Sequence, residues 1–114
     1  MNEHFIIERE GKNPLEFWGI RLAEFAWGYD YSDREEGISA VLYKTKGGKF
    51  ICQKIVRWDM VYNENGTRTH WKQRLDTKVC SLYSEVVDFF GYGKAALIIY
   101  RDGGIPYSAT EIID

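Results

Sequence analysis

The segment from Gly37 to Asp76, GISAVLYKTKGGKFICQKIVRWDMVYNENGTRTHWKQRLD, constrains the fold more than any other. Two turn signals, Lys46-Gly47-Gly48 and Asn65-Gly66, divide it into three alternating strands, because glycine and asparagine accept the backbone angles of hairpin turns. Two registers compete at the first turn. A two-residue Gly-Gly turn sets Lys46 against Lys49, like charges face to face. A three-residue loop with Gly48 at positive φ pairs Thr45 with Lys49 instead. It keeps Ile38, Ala40 and Leu42 on one face with Phe50, Cys52, Val56 and Trp58. That register is the expected one.

Asn65-Gly66 reads as a two-residue turn pairing Tyr62 with Thr69, Met60 with Trp71 and Asp59 with Lys72. The apolar face then continues through Trp58, Met60, Tyr62, Thr69, Trp71 and Leu75. The opposite face carries Arg57, Arg68, His70, Lys72 and Arg74, with Lys49 nearby, Asp59 as its lone acid and Tyr43 as its one ring.

Upstream, residues 1–12 read either as a strand at Phe5-Ile6-Ile7 or as a frayed arm. The stretch Asn13 to Trp27 supports two readings. As a helix it has Asn13 to cap, Pro14 at the first helical position, Glu16 to complete the box, and Leu15, Trp18, Leu22 and Phe25 on one face. As a bent strand it accommodates Gly19, which weakens a helix interior by about 1 kcal/mol. The strand is preferred, and the polar run Tyr29 to Glu36 becomes a solvated loop.

Past Asp76 the period changes. Leu82, Val86, Phe89 and Phe90 form a helical stripe, with Ser81 as its cap. A second helix spans Lys94 to Asp102, ended by Gly103 or Gly104 before Pro106. Its run Ala95 to Tyr100 is apolar nearly all round, so it is either deeply buried or covered by a partner, and an exposed one would favour a homodimer. Residues 107–114 are a short strand or a tail. Strands first and helices afterwards predict an α+β fold: a small antiparallel sheet of three to five strands with two short C-terminal helices on its apolar face.

At 114 residues the chain has room for one domain, and four Trp, eight Tyr and six Phe suit a well-filled core. Cys52 and Cys80 show no C-x-x-C spacing, so two reduced thiols are expected rather than a zinc site or a disulfide framework. The opening residues lack a basic stretch followed by an apolar run, and no run nears the ~18 apolar residues of a membrane span. A cytoplasmic protein without a membrane partner is expected. The net charge of −2 hides a division: Lys44 to Lys78 carries nine bases and three acids, between two acidic ends.

Catalytic patterns are scarce. Neither His4 nor His70 neighbours a nucleophile, and no metalloprotease, hydrolase or phosphate-loop motif occurs. Gly91-Tyr92-Gly93-Lys94 lacks phosphate-loop spacing and reads as a turn. Asp30, Asp33, Glu35 and Glu36 lack the calcium-loop pattern and read as solvated. No cofactor, metal or catalytic residue is expected. The run Phe25 to Tyr31 reads as core filling in preference to an interaction patch.

Gly19 to Glu24 (G-x-x-L-A-E) and Leu42 to Phe50 (L-Y-x-T-x-G-G-K-F) resemble small uncharacterised bacterial and mobile-element proteins over about a third of the chain. The resemblance implies a β-hairpin scaffold with a strand at Leu15 to Phe25, and brings no site residues. The expectation is a non-enzymatic interaction protein, a phage- or plasmid-type inhibitor of a host complex, binding an acidic protein through Lys49, Arg57, Arg68, His70, Lys72 and Arg74. The alternatives are a nucleic-acid binder using that same face and an enzyme of unrecognised type.

Overall fold

A computed structural model describes residues 2–27 and 37–107; the side chains of residues 27, 58–62 and 68–72 lie outside the description. Five strands form one antiparallel meander: β1 (Glu3–Arg9), β2 (Lys12–Trp27), β3 (Gly37–Thr45), β4 (Phe50–Tyr62) and β5 (Arg68–Cys80). Two helices follow, α1 (Tyr83–Phe90) and α2 (Lys94–Gly103). This is the expected α+β order.

The N-terminal dozen belongs to the sheet and is not a frayed arm. Phe5 of β1 stacks on Phe17 of β2 with ring centroids 5.3 Å apart. Pro14 cannot donate to a ladder, and it falls where the ladder slips: Ile7 pairs with Leu15 and Arg9 with Lys12, leaving Asn13 and Pro14 opposite Glu8 alone. A second slip, between Arg21 and Ala23, bends β2. Gly19 sits where β3 passes so close that a Cβ would run into the Lys44 carbonyl oxygen. That close approach accounts for a glycine in mid-strand.

The first hairpin takes the bulged loop. Thr45 N–H donates to Lys49 O at 2.8 Å, Lys44 pairs with Phe50, and Gly48 has φ +88°. The second hairpin departs from its expected form. Asn63 N–H donates to Thr67 O at 3.0 Å around a three-residue loop, Glu64-Asn65-Gly66, with Gly66 at φ +79°. The Asn63 side chain accepts from the N–H groups of Asn65 and Thr67, which holds this longer loop.

Two bulges then offset each other. Tyr62 pairs with Arg68, Met60 with Trp71, and Trp58 with Lys72, so Thr69 and Asp59 are each the extra residue on their strand. From Trp58 to Phe50 the pairing is one residue away from the expected one. A one-residue slip moves every side chain of β5 to the other face. Cys80 therefore lies with Phe50 on the helix side, Leu75 lies opposite Ile55 on the other side, and Arg57 and Arg74 stand on opposite faces.

Both faces of the sheet are buried at its centre. On the helix side Ala23, Ala40, Leu42, Phe50, Cys52 and Cys80 pack under Val86, Val87, Phe90, Ala96, Ile99 and Tyr100. On the other side, where a polar, cationic face is expected, Ile7, Val41, Tyr43 and Ile51 form a second core with Phe5, Leu15 and Phe17. Tyr43, expected among the bases, lies 5.0 Å from Phe5 and 5.4 Å from Phe17 between ring centroids. The sheet curls around this core. Gln53 Nε2 donates to Glu8 O at 2.9 Å, and Leu75 N–H donates to the Glu10 carboxylate at 3.0 Å.

The helices begin and pack slightly off the expected frame. Leu82, not Ser81, occupies the cap position of α1, and the Glu85 carboxylate accepts from the N–H groups of both. Leu82 is thus 61% exposed, Phe89 is half-buried, and Val86, Val87 and Phe90 form the core face. In α2, Ala96, Ile99 and Tyr100 face the sheet. The Tyr100 hydroxyl donates to Gly91 O at 2.6 Å and lies 3.3 Å from Val87 O, closing the C-terminal end of α1. Residues 108–114 and the acidic loop at 29–36 lie outside the described residues.

Two substitutions test this packing in urea or thermal unfolding. Gly19→Ala is expected to destabilise by about 1–3 kcal/mol, since the added methyl meets backbone that cannot swing aside. Tyr100→Phe is expected to cost about 1–2 kcal/mol by leaving the Gly91 carbonyl, at the C-cap of α1, without its hydroxyl donor. Wild-type stability in either variant would contradict the packing.

Candidate functional site

The basic residues singled out from the sequence do not share one face. Lys49 lies at the far end of β4 from Arg57, roughly 26 Å away at the rise of an extended strand. Its ammonium donates to Ser81 Oγ at 2.7 Å. Arg57 is half-buried on the second-core side, opposite Gln73. Arg74 is exposed on the helix side, opposite Val56, and its Nε lies 3.5 Å from an Asp76 carboxylate oxygen. Arg68, His70 and Lys72 pair in the backbone with Tyr62, Val61 and Trp58; their side chains lie outside the described residues.

Length, rather than facing, brings these residues together. β3 pairs with β4 only as far as Arg57, through Gly37. Beyond that point β4 and β5 pair with each other alone among the described residues. The result is a two-stranded ribbon carrying Arg68, His70 and Lys72, with Arg57 and Arg74 at its base. The chain is correspondingly long, 56 × 36 × 26 Å, with a radius of gyration of 16.2 Å against about 13 Å for a compact chain near this size.

A second feature was not read from the sequence. An open groove of about 570 Å³ lies between the helix side of the sheet and the helices. Phe25, Ile38, Ala40 and Val56 form its floor, and Phe90, Ala95, Ala96 and Ile98 its wall. Among the described residues the ionisable side chains lining it are Lys54 and Lys94. Lys94 is exposed; the Lys54 ammonium lies 4.9 Å from the centre of the Phe89 ring. The groove exists because α2 presents small residues, Ala95 and Ala96, to a strand floor that includes Ala40. Two adjacent alanines on α2 and one in β3 give no periodic signal.

Among the described residues no group of three or more histidine, cysteine or acidic side chains gathers to hold a metal, and no helix is long and apolar enough to cross a membrane. Cys52 and Cys80, both fully buried, have sulfurs 3.9 Å apart and form no disulfide. Burial pushes both thiols above their ordinary range, so at neutral pH they remain protonated and are poor nucleophiles. Comparison with protein-family models, with curated proteins and with solved structures finds no match to this chain.

Thiol chemistry provides the check on this description. Iodoacetamide at pH 8 is expected to label both cysteines at least about tenfold more slowly in the folded protein than in guanidinium, because only the thiolate reacts. Equal rates would contradict the burial.

Proposed function

We propose that the chain is a non-enzymatic interaction protein that engages an acidic protein partner through the β4–β5 ribbon. The supporting observation is the extension of β4 and β5 past β3, which places Arg68, His70 and Lys72 on an arm paired only with itself among the described residues. Closely spaced bases on a protruding element create a positive field that steers an acidic surface toward it. The departure from a single basic face alters the geometry of this reading but retains its charge: Arg57 to Arg74 holds four Lys or Arg against Asp59 and Glu64. The resemblance to mobile-element proteins adds the narrower role of inhibiting a host complex.

A second reading, nucleic-acid binding, draws support from the same shape, since a two-stranded ribbon fits the DNA major groove. The two are separated by a pull-down and a salt series. Reversing Arg68, Lys72 and Arg74 to Glu is expected to remove a specific protein partner from the pull-down while the melting temperature changes by only a few degrees. An unchanged complex would retire the ribbon as the contact. Binding of RNA or DNA whose log affinity falls linearly with log salt would favour the second reading.

A further inference from the structure

We infer that the groove between α2 and the sheet binds a long-chain fatty acid as its free carboxylate. This goes beyond the ribbon reading and does not depend on it: Arg57 and Arg74, the described bases at the ribbon's foot, do not line the groove.

Volume, lining and charge carry the inference together. About 570 Å³ lies in the range of roughly 300–1,000 Å³ typical of small-molecule pockets. Phe25, Ile38, Val56, Phe90 and Ile98 offer hydrocarbon and ring surface with no side-chain hydrogen-bond donor or acceptor. A ligand rich in heteroatoms would strand its polar groups against these residues, at a cost of a few kcal/mol each. The occupant therefore has a hydrocarbon body.

Its polar end is set by Lys54 and Lys94. Among the described residues no carboxylate lines the groove and no salt bridge engages either ammonium; Asp76, opposite Lys54 in the β4–β5 ladder, is engaged by Arg74 instead. The first turn of α2, which begins at Lys94, contains no acidic residue, so its positive end adds to the same field. One anionic head at the lysines and one alkyl chain along the apolar cleft satisfy both parts. A neutral alcohol would satisfy only the cleft, and an alkylammonium would be repelled.

Displacement of cis-parinaric acid, followed by its fluorescence, tests this on the full chain. Laurate is expected to displace the dye with a Kd of about 1–10 µM. Dodecyltrimethylammonium is expected to displace it at least about tenfold more weakly. The double variant Lys54→Glu/Lys94→Glu is expected to weaken laurate at least about tenfold and to leave 1-dodecanol unchanged. Ala95→Trp, which fills the cleft from the α2 side, is expected to abolish binding of both. Circular dichroism checks that variant's fold, and the lysine pair, which lies outside the core, keeps the test valid if it misfolds.

Arg68→Glu/Lys72→Glu is expected to retain laurate binding, which separates this result from the fate of the ribbon reading. No saturable signal below about 100 µM would overturn the inference. So would laurate affinity indifferent to the lysine reversal, or a dimer by sedimentation that ignores both dye and laurate.

Discussion

Leu42 and Cys52, with no accessible surface, face the helices from the middle of the sheet, while Val41 and Ile51, one residue along, are buried on its other side. A sheet apolar on both sides must be covered on both sides, because each large side chain returned to water costs about 1.5–3 kcal/mol. The chain meets this demand with two unlike covers. Helices α1 and α2 take one side. The β1–β2 hairpin, bent at two register slips, curls over the other. Among the described residues neither cover pairs with the distal half of β4 and β5, and an open groove remains beside Ala40 and Val56. Ribbon and groove are both regions where this two-sided burial stops short.

Much of this was legible. The Thr45–Lys49 register follows from avoiding a Lys46–Lys49 clash, and Gly48 takes the positive φ that loop requires. The order of elements and the end of α2 also follow from local chemistry, whereas the strand at Asn13 to Trp27 competes with a capped helix and is favoured in part by the resemblance. The second core was visible and discounted. Ala40-Val41-Leu42-Tyr43 and Phe50-Ile51-Cys52 are continuous apolar runs, the signature of a strand buried on both sides. An alternating reading aligns Ile38, Ala40 and Leu42 with Phe50 and Cys52 on one face but leaves Val41, Tyr43 and Ile51 unaccounted for on the other.

The second hairpin shows where local reading ends. Asn65-Gly66 suits a two-residue turn and a three-residue one alike, and Asn63, with its two side-chain bonds, favours the longer loop. Pairings much farther along, Leu75 with Ile55 and Cys80 with Phe50, then fix the register, and the bulges at Asp59 and Thr69 absorb the mismatch. Those pairings are tertiary, so the placement of Arg57 against Arg74 lay beyond any window of sequence. The groove was hidden for a related reason: it is a separation between elements, and no residue encodes a separation alone.

The Glu10 carboxylate bonded to Leu75 N–H joins residues 65 positions apart and, with the Gln53–Glu8 bond, reaches across a sheet whose backbone ladders run only between neighbouring strands. Hairpins zip locally and early, whereas a contact of this span must wait for the whole meander. The carboxylate acts as a clasp across the two outer strands, occupying an edge donor that another extended chain could otherwise use. Both cores are made of other residues and do not use that bond. A chain without that carboxylate would keep its helices and its centre while its rim offered a bare N–H to strands of other molecules.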